Sequence, residues 1–145
     1  MEKKLKHLEM LQAIISRMAR NSFFLKGWNV VLVSAIFALA STESNSVLVF
    51  LAYLPAMVFW LLDGFFLRQE RLFRKLYDKV RVMTEDDIDF SMNTATLESE
   101  VPSWFRVAFS RPFTLPLFHG AILVTITAVW LAPVTVRLIE CIISG

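Results

Sequence analysis

Very few residues of this chain are of types that could do covalent chemistry. There are two histidines, His7 and His119, and one cysteine, Cys141. The histidines fall at different expected depths and cannot meet at one centre. No His-Glu-x-x-His helix, Gly-x-Ser-x-Gly elbow, phosphate-cradling glycine loop or paired-cysteine pattern occurs. A single cysteine excludes an internal disulfide and a cysteine-rich metal site. The acids of "EDDID" (85–89) lack the glycine and ligand spacing of a calcium loop and read as a solvated turn. The residue types therefore point away from an enzyme, with no catalytic residue, metal site or cofactor expected.

What remains is electrostatic. Asp63 is the one acid in an otherwise apolar run, Val47–Leu67, of 21 residues. At 1.5 Å per helical residue it lies about 9 Å beyond the middle of that run. Lys26 and Arg68 have similar expected depth and are its candidate partners. His119 lies near the start of another run, Leu117–Val136, where a hydrogen bond to a neighbouring helix is its default role. Polar groups at such depths are costly and usually face a bundle interior or water. Asp63 with Lys26 and His119 thus reads either as charge lining a pore or subunit contact, or as a buried ion pair positioning helices. A second constellation follows it: Arg68, Arg71, Lys75 and Lys79 share one face of a helix over 67–82 and form a candidate anion-binding surface. The anion is a lipid headgroup, a nucleotide phosphate or the chain's own acidic stretch.

These groups need helices to position them. The 145 residues are 56% hydrophobic with only 4 glycines. Phe23–Ala40, Val47–Leu67 and Leu117–Val136 are each about the length needed to cross a hydrocarbon core of ~30 Å. Lys26 can snorkel from the first run to the headgroups. "AIFALA" (35–40) carries a small-x-small pattern, but the polar region before it is too long for a signal peptide. The expected fold is an all-α integral membrane protein with three transmembrane helices, the first two a hairpin. Four segments follow: an amphipathic helix over 1–22; a hairpin over 23–67; a basic helix, acidic segment and interfacial segment over 68–112; and a third span with a short tail over 113–145.

Basic residues orient the spans. Six precede or begin the first run, none lies in "STESNS" (41–46), eight lie between Arg68 and Arg111, and Arg137 alone follows the third run. The N-terminus and the 68–112 segment are therefore expected in the cytoplasm and the C-terminus outside. On the N-terminal helix, Leu8, Leu11, Ile15 and Met18 follow a 3-4-3 spacing suited to self-association or to lying on lipid. "STESNS" reads as a tight turn and Pro55 as a kink in span two. Thr125 and Thr127 can bond across helices. "TEDDIDFSMNTATLESE" (84–100) has six acids and no base, yet Ile88, Phe90, Met92 and Leu97 in it are expected to pack. Its "DIDFSMNTATL" part alternates enough for a short extended stretch. Trp104, Phe105, Arg106 and Arg111 read as interfacial, and Pro112 and Pro116 punctuate entry into span three.

"LEMLQAIISRMARNSFFLKGW" (8–28) and "FWLLDGFFLRQERLFRKLYDKVR" (59–81) resemble the small multi-pass membrane effectors of bacterial anti-phage systems that are paired with nucleotide-second-messenger synthases. The resemblance implies an inner-membrane homo-oligomer that disrupts the bilayer, gated by a cyclic oligonucleotide or a synthase partner at its cytoplasmic region. No nucleic-acid polymer is expected as a partner. Two other readings stay open on the residues themselves: an accessory or scaffold subunit of a larger membrane complex, and a small oligomeric ion channel.

Overall fold

A computed structural model describes residues 2–43, 46–109 and 114–143. Helix α1 spans Glu2–Glu43, α2 Ser46–Leu51, α3 Tyr53–Val82, α4 Trp104–Ala108 and α5 Thr114–Ile143, with a 3-10 helix at Ala95–Glu100 before α4. There is no strand among the described residues. Three helical stretches, Glu2–Ser41, Val47–Val82 and Pro116–Pro133, are long and apolar enough to cross a membrane. In the most apolar part of each, no more than 28% of the residues are buried. Phe23, Phe50, Leu54, Leu117 and Val124 instead point outward from the bundle. A helix apolar all round, and uncovered, needs an apolar surrounding.

Nothing interrupts α1 at Asn21-Ser22, so the amphipathic N-terminal segment and the first apolar run are one helix of 42 residues, about 63 Å long. The expected boundary between residues 22 and 23 falls inside it. The boundary between 67 and 68 likewise falls inside α3, which carries the second run directly into the basic segment. Separation of α2 from α3 at Ala52 has a local cause. Pro55 has no N–H for the Leu51 carbonyl four residues back, and its ring crowds that carbonyl. The chain bridges the break with one tighter bond, Ala52 N–H to Val49 O at 3.2 Å, and resumes α-helical bonding with Ala56 N–H to Ala52 O at 3.4 Å. Ser44-Asn45, at the middle of the expected turn, and Arg111-Pro112 lie outside the described residues.

α1 and α3 run antiparallel, with Lys26 beside Asp63 at one level and Lys4 beside Met83 at another. Two apolar cores form along them. One joins Val33 and Ala40 of α1 with Val49, Ala52 and Ala56 and with Ile126 of α5. Its three alanines let the helices approach closely, as small residues do where lipid gives no hydrophobic drive. The other joins Leu11 of α1 with Leu72, Leu76 and Val80 of α3, and with Ile88, Leu97 and Val101 of the acidic stretch. Each such side chain contributes ~1.5–3 kcal/mol where the surroundings are water.

The acidic stretch packs but does not extend as a strand. Phe90 adopts φ 56°, a left-handed turn incompatible with a pleat. Asp89, Ser91 and Asn93 side chains accept from backbone amides two residues on, favouring turns over a ladder. Glu85 returns to α1, where its carboxylate accepts from the Lys3 backbone N–H at 2.7 Å. Lys4 Nζ in turn donates to Met83 O at 2.9 Å. An anion at a helix start and a cation at a helix end both suit the peptide dipoles. The amino-terminal positive charge, then the Lys3 and Lys4 backbone N–H groups, hold the Glu85 carboxyl below the usual range.

Candidate functional site

Between the two apolar cores lies one polar layer, built from three helices. Ser22, Lys26 and Asn29 occupy one face of α1 at spacings of four and three residues. Asp63 comes from α3 and His119 from α5, and both are buried. Lys26 Nζ sits 2.5 Å from Asp63 Oδ2 and donates to Ser22 Oγ at 2.8 Å. The Ser22 hydroxyl donates to Asp63 Oδ1. His119 Nε2 lies 3.1 Å from Asp63 Oδ2, and its Nδ1 lies 3.2 Å from Asn29 Nδ2. The Asp63 carboxylate thus accepts from all three directions and holds α1, α3 and α5 at one point. Asn29 is fully buried, and its Oδ1 has no hydrogen-bond partner.

Trp60, one turn before Asp63, closes the layer from the side. Its ring stacks on His119, with centroids 6.0 Å apart and planes at 6°. Its Nε1–H donates to Ala108 O at 3.0 Å. That bond ties α4 to α3 directly above the layer. Close approach there requires Gly64: a Cβ at that position would meet Ala108 Cβ at 2.7 Å. α4 therefore covers the Trp60 and Gly64 side of α3, next to Asp63, with Val107 and Ala108 buried and Phe105 and Phe109 exposed.

Arg68 does not reach Asp63. Its Nε donates to Pro102 O at 3.2 Å, and its guanidinium lies 3.9 Å from Glu98. Lys75 is 3.5 Å from Glu100. Arg71 is half-buried. Lys79 lines a cavity of about 190 Å³ with His7, Asp89 and Asn93. The four basic residues thus share a helix face but do not converge on one pocket, and the chain's own acidic stretch lies along that face. The α1 stripe is also engaged within the chain. Leu11 is buried against Leu72 and Leu76 with Leu8 beside it, Ile15 is buried, and Met18 is half-buried. Leu8 and Leu11 of the stripe thus pack on α3 of the same chain.

Sequence reasoning missed Ser22, Asn29 and Trp60 as members of the layer. The signal for the first two was present, since they stand one turn either side of Lys26. Of the two threonines, Thr127 bonds across helices to the Tyr53 hydroxyl at 2.6 Å, whereas Thr125 returns to Ala121 O of its own helix. Among the described residues no group of three or more His, Cys, Asp or Glu could hold a metal ion. Compared with protein-family models, curated proteins and solved structures, the chain matches none.

Proposed function

We propose that the chain crosses the bacterial inner membrane three times and assembles as a homo-oligomeric effector that permeabilises that membrane in anti-phage defence. The N-terminus and the 68–112 segment face the cytoplasm, and the C-terminus lies outside. The excess of basic residues on the first two of those segments supports this orientation. The structure is then the closed state. A nucleotide or protein partner binding the cytoplasmic region releases it.

One observation carries this reading. The arm from the 3-10 helix to α4 engages the basic face of α3 through Glu98 and Glu100 and also packs through Ala108 on Gly64, the residue next to the buried Asp63. Both contacts lie on one continuous helix. An anion competing for Arg68 and Lys75 loosens the arm, and a loosened arm frees α3 beside its buried charge to shift. Exposed ion pairs contribute only ~0.2–1 kcal/mol each, so a modest ligand suffices to displace them. The test is dye release from liposomes. Wild type should stay sealed, and a Glu98→Lys/Glu100→Lys variant should leak. Sealed vesicles with both, together with an undisturbed membrane potential in cells making the variant, would overturn the proposal.

The accessory-subunit reading has one observation in its favour. Arg68 and Lys75 already have acidic partners within the chain, and Leu11 and Ile15 are already covered. It expects a stable complex with a larger membrane partner and no leak from wild type or from the Glu98→Lys/Glu100→Lys variant.

A further inference from the structure

We propose that the Asn29–His119–Asp63 limb of the polar layer is a binding site for one proton, taken up at His119 Nδ1, with the Asn29 amide turning to receive it. The proposal rests on the reading that these helices lie in the bilayer and does not depend on permeabilisation.

The hydrogen-bond inventory carries it. His119 Nε2 faces a carboxylate oxygen, which only accepts, so Nε2 carries a hydrogen. In the neutral ring Nδ1 is therefore an acceptor, and it takes a hydrogen from Asn29 Nδ2. That leaves Asn29 Oδ1 buried with nothing to accept from. Add a proton to Nδ1 and turn the amide by half a rotation: Nδ1–H now donates to Oδ1, and Nδ2 becomes the idle group. The number of bonds is unchanged, and no backbone need move. Oxygen and nitrogen of an amide are nearly the same size, so both states share one set of heavy-atom positions. Few buried sites can change charge at so little steric cost.

Charge balance is explicit. Among the described residues, the charged and titratable groups facing His119 are Asp63 from α3 and Lys26 from α1; Arg106 of α4 is exposed. With a neutral imidazole the layer sums to zero, Lys26 against Asp63. With the proton bound it carries one positive charge, and Asp63 lies between two cations. The parallel Trp60 face, 6.0 Å from the imidazole, offers an imidazolium its π density. The proton comes from water at the cytoplasmic end, on the side of Lys26, which is the partly exposed member of the layer.

The test uses the full chain with ring-labelled histidine in lipid nanodiscs, read by nitrogen NMR during acidification, with His119→Gln assigning the signals. Nε2 of His119 should stay protonated throughout, while Nδ1 changes from the bare to the protonated type and the Asn29 side-chain amide signal shifts with it. Asn29→Leu removes the amide from both states, but the charged state loses the stronger bond, so protonation of Nδ1 should require about fivefold more acid. A bare Nδ1 at every pH at which the chain stays folded overturns the proposal. So does an Asn29→Leu chain that titrates like wild type, or a neutral ring with its hydrogen on Nδ1. Should the variant not fold, the wild-type titration decides alone. A sealed liposome alongside the expected NMR result would remove the effector reading and leave the proton site standing.

Discussion

Removing Lys26 should harm the fold far more than neutralising the acid it pairs with. Lys26→Met keeps the stem and deletes the ammonium, leaving the Asp63 carboxylate buried with only Ser22 and His119 as donors. Breaking a buried pair from one side costs ~3–5 kcal/mol. Because the Lys26 side chain keeps 26% exposure, the low end, about 3 kcal/mol, is expected. Asp63→Asn is nearly isosteric: its one amide oxygen can accept from His119 while its NH2 donates to the Ser22 hydroxyl, which rotates to accept it, and a freed Lys26 can extend toward the headgroups. Its cost should be about 1 kcal/mol, near that of a single interhelical bond in a bilayer. The double variant contains no buried charge to strand and should recover to within about 1 kcal/mol of wild type. The assay is reversible unfolding in mixed micelles, followed by helical circular dichroism, for all four proteins. Equal single-variant losses that simply add in the double variant, with coupling below about 0.5 kcal/mol, would refute a closed ion pair at this position.

Three further outcomes follow from the same geometry. Gly64→Ala places a methyl 2.7 Å from Ala108 Cβ, so α4 must move; a loss of about 1–3 kcal/mol and faster amide exchange across 104–108 are expected, and unchanged exchange there would contradict the cover. Glu98→Lys/Glu100→Lys places cations against Arg68 and Lys75 and should make the 84–103 segment more sensitive to chymotrypsin, which can cut at Phe90 and Leu97 in both proteins, at low salt, with the difference shrinking at high salt. Glu85 has a depressed carboxyl value in the fold, so its contribution is present above the unfolded value and is lost as pH falls through the lower, folded one. The unfolding midpoint of wild type should drop across that acidic window, and Glu85→Gln should flatten the drop.

Much of the helical layout is legible in the residues. The apolar runs mark the three long helices because length and hydropathy are local properties, and Lys26 is recognisable as a partner for Asp63 from depth alone. Arg68 is not, although it has similar depth. Five residues on from Asp63, it stands about 140° further round the helix and faces the acidic arm instead. The bond from His119 to Asp63 depends on how α5 is rotated against α3, and rotation of a helix apolar on every side leaves no periodic trace. The acidic stretch misled for a different reason. Its alternation of apolar and polar residues suits a strand, but its Asp, Ser and Asn side chains bond their own backbone and turn the chain. The α1 stripe reads as a surface for self-association or for lipid, and Leu8 and Leu11 of it pack within the chain. Whether such a stripe packs on its own chain or on another depends on what α3 presents opposite it, which spacing along α1 cannot reveal.

The central physical claim is that lipid surrounds the outward apolar residues. The most direct measurement places single spin labels at Val31, Leu54 and Val124, exposed by 56%, 67% and 69%, in a Cys141→Ser chain reconstituted in liposomes. Lipid contact predicts relaxation by dissolved oxygen and protection from a water-soluble nickel complex at all three, with the reverse at Lys6 on the N-terminal part of α1. Ready access of the nickel complex to the three apolar positions would contradict it.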